Sequence, residues 1–150
     1  MAGVEISIKV NGVAKVQGKL TRLAQKLGDL TVPNRAVATQ LYSWFIDNFD
    51  HDGSLVGGWV PLAPATIRQK DRLGKEKMLV RSGHLRASVL PFSDAARAGI
   101  GSELSYSQTH QLGSSTVPQR EILPRDKDVL DIGLRVYQLY VDRATREANK

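Results

Sequence analysis

From Val13 to Leu30 the apolar residues stand at Val13, Val16, Leu20, Leu23, Leu27 and Leu30, spaced by 3, 4, 3, 4 and 3. A helix brings that spacing onto one face, because its turn takes 3.6 residues. The seam covers less than three heptads, so it reads as a helix lying on its own domain rather than a free coiled coil. Gly28 is a stop for that helix, with Leu30 just beyond. A second helix opens at Pro33-Asn34, where a missing N–H costs little. Val37, Leu41, Trp44, Phe45 and Phe49 repeat near 3.6 residues and form its expected core face. A third long helix starts with Asp126 or Asp128 as cap. Its apolar stripe is Leu130, Leu134, Tyr137 and Val141. Arg143, Arg146 and Lys150 close it where the dipole favours cations.

Between and before these helices the pattern is shorter. Val4, Ile6, Ile8 and Val10 alternate with Glu5, Ser7 and Lys9, the period of a half-buried strand, and Asn11-Gly12 ends it in a turn. Leu85, Ala87 and Val89 alternate and predict another strand. Ala98 to Gly101 predicts a third, weakened by its glycines. Ala65 to Arg72 suits a short helix, Tyr106 to Leu112 fits helix or extended chain equally, and Ser114 to Pro124 has no pattern. Strands and helices do not alternate as a parallel sheet requires. The fold class is therefore α+β, a small antiparallel sheet packed with about three longer helices and long loops between. The 150 residues suit a single domain, 1–150. Asp50 to Gly58, rich in glycine, and Arg68 to Lys77, rich in charge, read as mobile loops.

Composition removes several classes of function. The chain has no cysteine, so disulfides, thiolate metal sites and cysteine nucleophiles are excluded. No apolar run approaches the roughly 18 residues a membrane span needs. The alternating start MAGVEISIKV is no secretory signal, so the chain is expected to stay in the cytoplasm until it is assembled. Net charge is +6, and its excess is local. Arg68, Lys70, Arg72, Lys75, Lys77, Arg81 and Arg86 face only Asp71 and Glu76, a surplus of +5 within one stretch. No aromatic residue interrupts the run to stack on bases. A solvated loop is the plain reading, and contact with an acidic partner or a DNA backbone is the sharper one.

Chemistry is harder to find. His51 stands among Asp47, Asp50 and Asp52, but no second histidine follows at i+4 and a glycine-rich loop holds ligands poorly. The same stretch lacks the twelfth-position Glu of a calcium loop. Ser82-Gly83-His84 is not the G-x-S-x-G turn of a hydrolase, and no phosphate-cradling glycine motif follows a strand. Catalytic, cofactor-binding and metal-ligating residues are therefore assigned to none. Trp59, between Gly57-Gly58 and Pro61, is either a core tryptophan pinning a loop or an anchor for a neighbouring subunit.

One ordered set of pieces runs through nearly the whole chain. It comprises Gly58-Trp59-Val60-Pro61-Leu62, Thr66 to Lys70, and Leu79 followed by Ser82-Gly83-His84-Leu85-Arg86 and Ser88. Gly101-Ser102, Tyr106 to Gly113, Pro118-Gln119-Arg120 and Asp126 to Asp131 complete it. In this order and spacing the set resembles the phage virion morphogenesis (tail completion) family, found beside the head genes of Mu-like phages. The resemblance implies a protein that is not an enzyme and binds no cofactor. It implies a ring-forming subunit of the neck or of the head-proximal end of the tail, a tail terminator or a head–tail joining protein. The family's tail symmetry implies a hexamer. Its partners would be copies of itself and the neighbouring neck and tail tube proteins, with possible passing contact with packaged DNA and no membrane. The implied location is the virion, reached from the host cytoplasm. The residues expected at its interfaces are Trp59, Pro61 and Leu62; Arg68, Lys70, Lys75 and Lys77; and Tyr106, His110, Gln111 and Arg120. The alternative is a basic DNA-binding module, with affinity that falls steeply with salt.

Overall fold

The computed structural model describes residues 13–74 and 77–149. The strand expected from Val4 to Val10 lies outside the described residues, as do Lys75 and Lys150. The elements run α1 (Val13–Leu27), α2 (Thr31–Asp50), a 3-10 turn (Ser54–Val56), α3 (Pro64–Arg72), α4 (His84–Ser88), β1 (Val89–Ser93), β2 (Ala98–Ser102), α5 (Ser105–Leu112) and α6 (Asp126–Ala148). β1 and β2 pair antiparallel, Val89 opposite Ser102 and Ser93 opposite Ala98. Among the described residues the architecture is six helices around one two-stranded antiparallel sheet, an α+β fold.

α2 organises the rest because its apolar face is continuous. Val37, Leu41, Phe45 and Phe49 are buried as their spacing predicts, and Trp44 is half-buried beside them. Its C-terminal half packs Phe45 and Phe49 with Trp59, Leu85, Val89 and Ile122. Its N-terminal half packs Val37 and Leu41 with Val136 of α6. Each large apolar side chain so buried contributes about 1.5–3 kcal/mol. Two buried amides fix the ends of this face. Asn34 donates from Nδ2 to the carbonyl of Asp94 at 2.7 Å and accepts from the Tyr137 hydroxyl. Asn48 donates from Nδ2 to the carbonyl of Glu121 at 3.1 Å and accepts at Oδ1 from the amide of Leu55 at 3.2 Å. Without such partners each amide would lose its water for nothing.

The structure corrects three expectations. Leu85 and Ala87 lie on α4, and the strand begins only at Val89. Gly83, at φ +82°, turns the chain into that helix, and its carbonyl accepts from the amide of Ala87 at 3.0 Å. The alternation that suggested a strand covers only three positions, too few to separate two periods. On α6 the expected stripe is mostly outward: Leu130 and Leu134 are each 60% exposed and Val141 41%. Val136, Ala144 and Ala148 are buried instead, and Tyr137 packs inward. The seam of α1 is likewise only partly used, with Val16 57% and Leu20 59% exposed.

α1 does lie on its own domain, held to the end of α6 largely by polar contacts. Arg22 donates to the carbonyl of Ala148 at 3.1 Å, the Tyr140 hydroxyl donates to the carbonyl of Lys26 at 2.7 Å, and Lys26 pairs with Glu147. The N-cap of α6 is Arg125 rather than Asp126 or Asp128; Asp128, at the third helical position, reaches back and accepts from the amide of Arg125 at 3.2 Å.

Two loop readings also gain structure. Residues 64–72 are helical, so Arg68 and Lys70 lie on α3, as the helix expected over 65–72 requires. Between Asp50 and Gly58 the chain forms a hydrogen-bonded turn: the amides of Val56 and Gly58 both donate to the carbonyl of Gly53, at 2.9 and 2.8 Å.

Candidate docking cleft

The turn after α2 exists to seat one ring. Gly53 adopts φ +82°, and a Cβ there would stand 2.2 Å from Cδ1 of Trp59. Only a glycine leaves the indole its place. The Trp59 amide donates to the carbonyl of Asp52 and its Nε1 to the carbonyl of Glu121, both at 2.8 Å. Its ring meets Phe49 edge-on, centroids 5.5 Å apart. Trp59 is 6% exposed. It is therefore a core residue of its own subunit, not a surface anchor for another.

Trp59 fixes the course of the next residues. The carbonyls of Val60 and Pro61 accept from Arg120, Nε at 3.0 Å and Nη2 at 3.4 Å. The amide of Arg120 donates to the carbonyl of His110 at 2.7 Å. Oε1 of Gln111 accepts from the amides of Ile122 and Leu123, both at 2.8 Å. Gln111 is thus spent on holding the strap 119–123, and Arg120 ties that strap to the segment after Trp59.

These ties enclose a cleft of about 730 Å³. One wall is Pro61, Leu62, the α3 residues Thr66 and Lys70, and Leu73 just after that helix. The floor is Leu79 and the Arg81–Leu85 turn. Tyr106 and His110 of α5, with Pro118 and Arg120, make the opposite wall. Six of the residues expected at interfaces meet here: Pro61, Leu62, Lys70, Tyr106, His110 and Arg120. The others do not. Trp59 and Gln111 stand behind the walls, Arg68 is exposed on α3 outside the cleft, Lys77 pairs with Asp50 at 3.7 Å, and Lys75 lies outside the described residues. Sequence reasoning did not assign Arg81, His84, Leu79 or Pro118 to the site. Arg81 and His84 flank or fall within the Ser-Gly-His-Leu-Arg piece, a signal that was there to be used.

The cleft carries a one-signed field. Lys70, Arg81 and Arg120 line it, and no aspartate or glutamate does among the described residues. Arg120 is 6% exposed, its side-chain partners among the described residues are carbonyls, and burial pushes its guanidinium below its ordinary range. Burial, and then the Arg120 charge, push the His110 imidazole down as well, which keeps that ring neutral near pH 7. Nδ1 of His110 is buried without a hydrogen-bond partner among the described residues, and the Tyr106 ring stands edge-on to it at 6.3 Å. Outside the cleft, two of the carboxylates near His51 are paired. Asp47 pairs with His51 itself at 3.0 Å and Asp50 with Arg86 at 3.0 Å, whose guanidinium lowers the Asp50 pKa.

The cleft thus combines apolar residues with the cations Lys70, Arg81 and Arg120. The sequence model of the phage virion morphogenesis family matches residues 12–144, and the chain belongs to that family, a structural family of phage proteins. No curated protein and no solved structure matches it. Among the described residues no helix is long and apolar enough to cross a membrane.

Proposed function

We propose that this chain is a ring-forming subunit that completes the phage tail or joins it to the head, acting by assembly rather than by catalysis. The observation that carries this reading is the apolar row left outside on α6. Leu130, Leu134 and Val141 follow one another at 4 and 7 residues, so they share a face, and all three are exposed. Val16 and Leu20 of α1 add two more large apolar residues turned to solvent. A lone soluble subunit gains nothing from such rows, whereas subunits that close a ring cover them. The ring, six-fold by the family's tail symmetry, would sit in the neck or head-proximal tail against the adjoining neck and tube proteins. Its subunits would wait in the host cytoplasm beforehand.

Light scattering on the purified chain tests the reading, with electron microscopy for rings. A mass that rises with concentration toward a closed oligomer is expected, and Leu130→Glu with Leu134→Glu should return it to a monomer with unchanged helical content. A monomer at every concentration, with no rings, would overturn it. A second reading, a DNA-binding module, draws on Arg68, Arg72 and Arg81, which form no ion pair with any described residue. It requires duplex affinity whose logarithm falls linearly with the logarithm of salt concentration.

A further inference from the structure

We infer that the cleft receives an acidic, apolar-flanked peptide segment of a neighbouring virion protein, with a carboxylate set against Arg120 and Arg81. The inference rests on the assembly reading and names the partner's chemistry. Buried charges are ordinarily paired. Arg120 is almost wholly buried, yet its Nε and Nη2 bonds go to carbonyls and Nη1 has no partner among the described residues. A carboxylate entering the cleft would supply the missing counter-charge by a charge-assisted bond. Arg81 is exposed at the rim and forms no ion pair with any described residue. Lys70 donates one hydrogen bond to the carbonyl of Val80 at 2.9 Å and keeps two more donors. Beside these cations the walls are apolar: Pro61, Leu62, Leu73, Leu79 and Pro118. That mixture suits side chains of both kinds spaced along one strand of peptide. A DNA duplex fits it poorly, because phosphates on the outside of a rod do not reach a guanidinium this deeply buried, and apolar walls offer them nothing.

The test is an NMR titration of the full chain with the capped hexapeptide SLDLFG and its neutral twin SLNLFG. A carboxylate fragment, 3-phenylpropionate, and its amide serve as minimal probes. The acidic peptide should shift the amides of Leu62, Arg81 and His84, and bind about tenfold more tightly than its twin, the equivalent of one charge-assisted contact. Arg81→Glu, at an exposed position that leaves the fold intact, should weaken the acidic peptide by a similar factor and leave the twin unchanged. Equal binding of acid and twin overturns the inference. So do shifts confined to α6, no response of the cleft to any probe, or displacement of the peptide by a short duplex. Light scattering on the same samples separates the two claims. Rings that form without any response of the cleft to acidic probes sink this inference alone, and peptide binding by a permanent monomer sinks only the ring reading.

Discussion

The amide of Arg120 donates to the carbonyl of His110 at 2.7 Å, joining the Tyr-x-x-x-His-Gln piece of the sequence to the Pro-x-Arg piece ten residues on. The guanidinium of the same Arg120 bonds the carbonyls of Val60 and Pro61. Three separate stretches of the sequence therefore meet at one residue, and the strength of that frame can be measured at its members.

Trp59→Ala should cost about 3–5 kcal/mol of monomer stability, the range for emptying a buried aromatic site. Trp59→Phe keeps most of the packing and loses the bond to Glu121, so about 1–2 kcal/mol is expected. Urea unfolding at a concentration where the chain is monomeric reads both. A loss under 1 kcal/mol for the alanine variant would mean that Trp59 serves a neighbour rather than its own core.

Two glycines with similar backbones should respond differently. Gly53 and Gly57 have φ of +82° and +95°, but a Cβ at Gly53 meets the Trp59 ring while one at Gly57 meets nothing within 4 Å. Gly57→Ala should destabilise only through the left-handed strain it introduces, about 1–2 kcal/mol. Gly53→Ala adds an overpacking cost of about 1–3 kcal/mol to the same strain. Equal losses in thermal unfolding would show that the indole is free to move aside.

The rotation of α6 has its own check. Leu134→Ser, at a position 60% exposed, should change monomer stability by no more than about 0.5 kcal/mol. Val136→Ala, at 8% exposed, should cost about 1–3 kcal/mol. The opposite order in denaturant midpoints would turn the helix round.

His110 gives the stability a pH slope. Unfolded, its ring takes a proton near 6.5; folded, burial and the Arg120 charge hold it neutral to lower pH. As pH falls through 6.5 the unfolded chain gains a proton that the folded chain refuses, so stability drops until the folded ring also titrates. His110→Gln should lack that part of the slope. An NMR titration placing the folded ring at or above 6.5 would contradict it.

How far the sequence could be read depends on what kind of signal each element left. The stripe from Val37 to Phe49 was legible because one face of α2 is buried from end to end, and periodicity over many turns averages out local exceptions. The stripe Leu130, Leu134, Tyr137 and Val141 is equally periodic, yet of its members only Tyr137 packs into the subunit's own core. Periodicity reports that a face avoids water. It does not report whether the same chain or another covers it. The same face is covered toward its C-terminal end, where Ala144 and Ala148 follow Tyr137 and Val141 by 7 residues, and that went unseen because smallness that lets a neighbouring helix approach looks like indifference in a hydrophobic pattern. Trp59 stood open between core and interface because a tryptophan among glycines fits both. Gly53 nearby and Glu121, 62 residues on, decide the matter.

The sequence by itself therefore determined the α+β class, the three long helices, the second strand of the hairpin and, through ordered short pieces, the family. These depend on local spacing and on residue types at intervals, which are properties of one dimension. Only the tertiary structure decided which side of α6 is covered, that residues 84–88 turn as a helix, and that six of the expected interface residues line one cleft around a buried Arg120. Those outcomes depend on which surfaces meet, and burial, counter-charge and close approach have no value until the chain has folded back on itself.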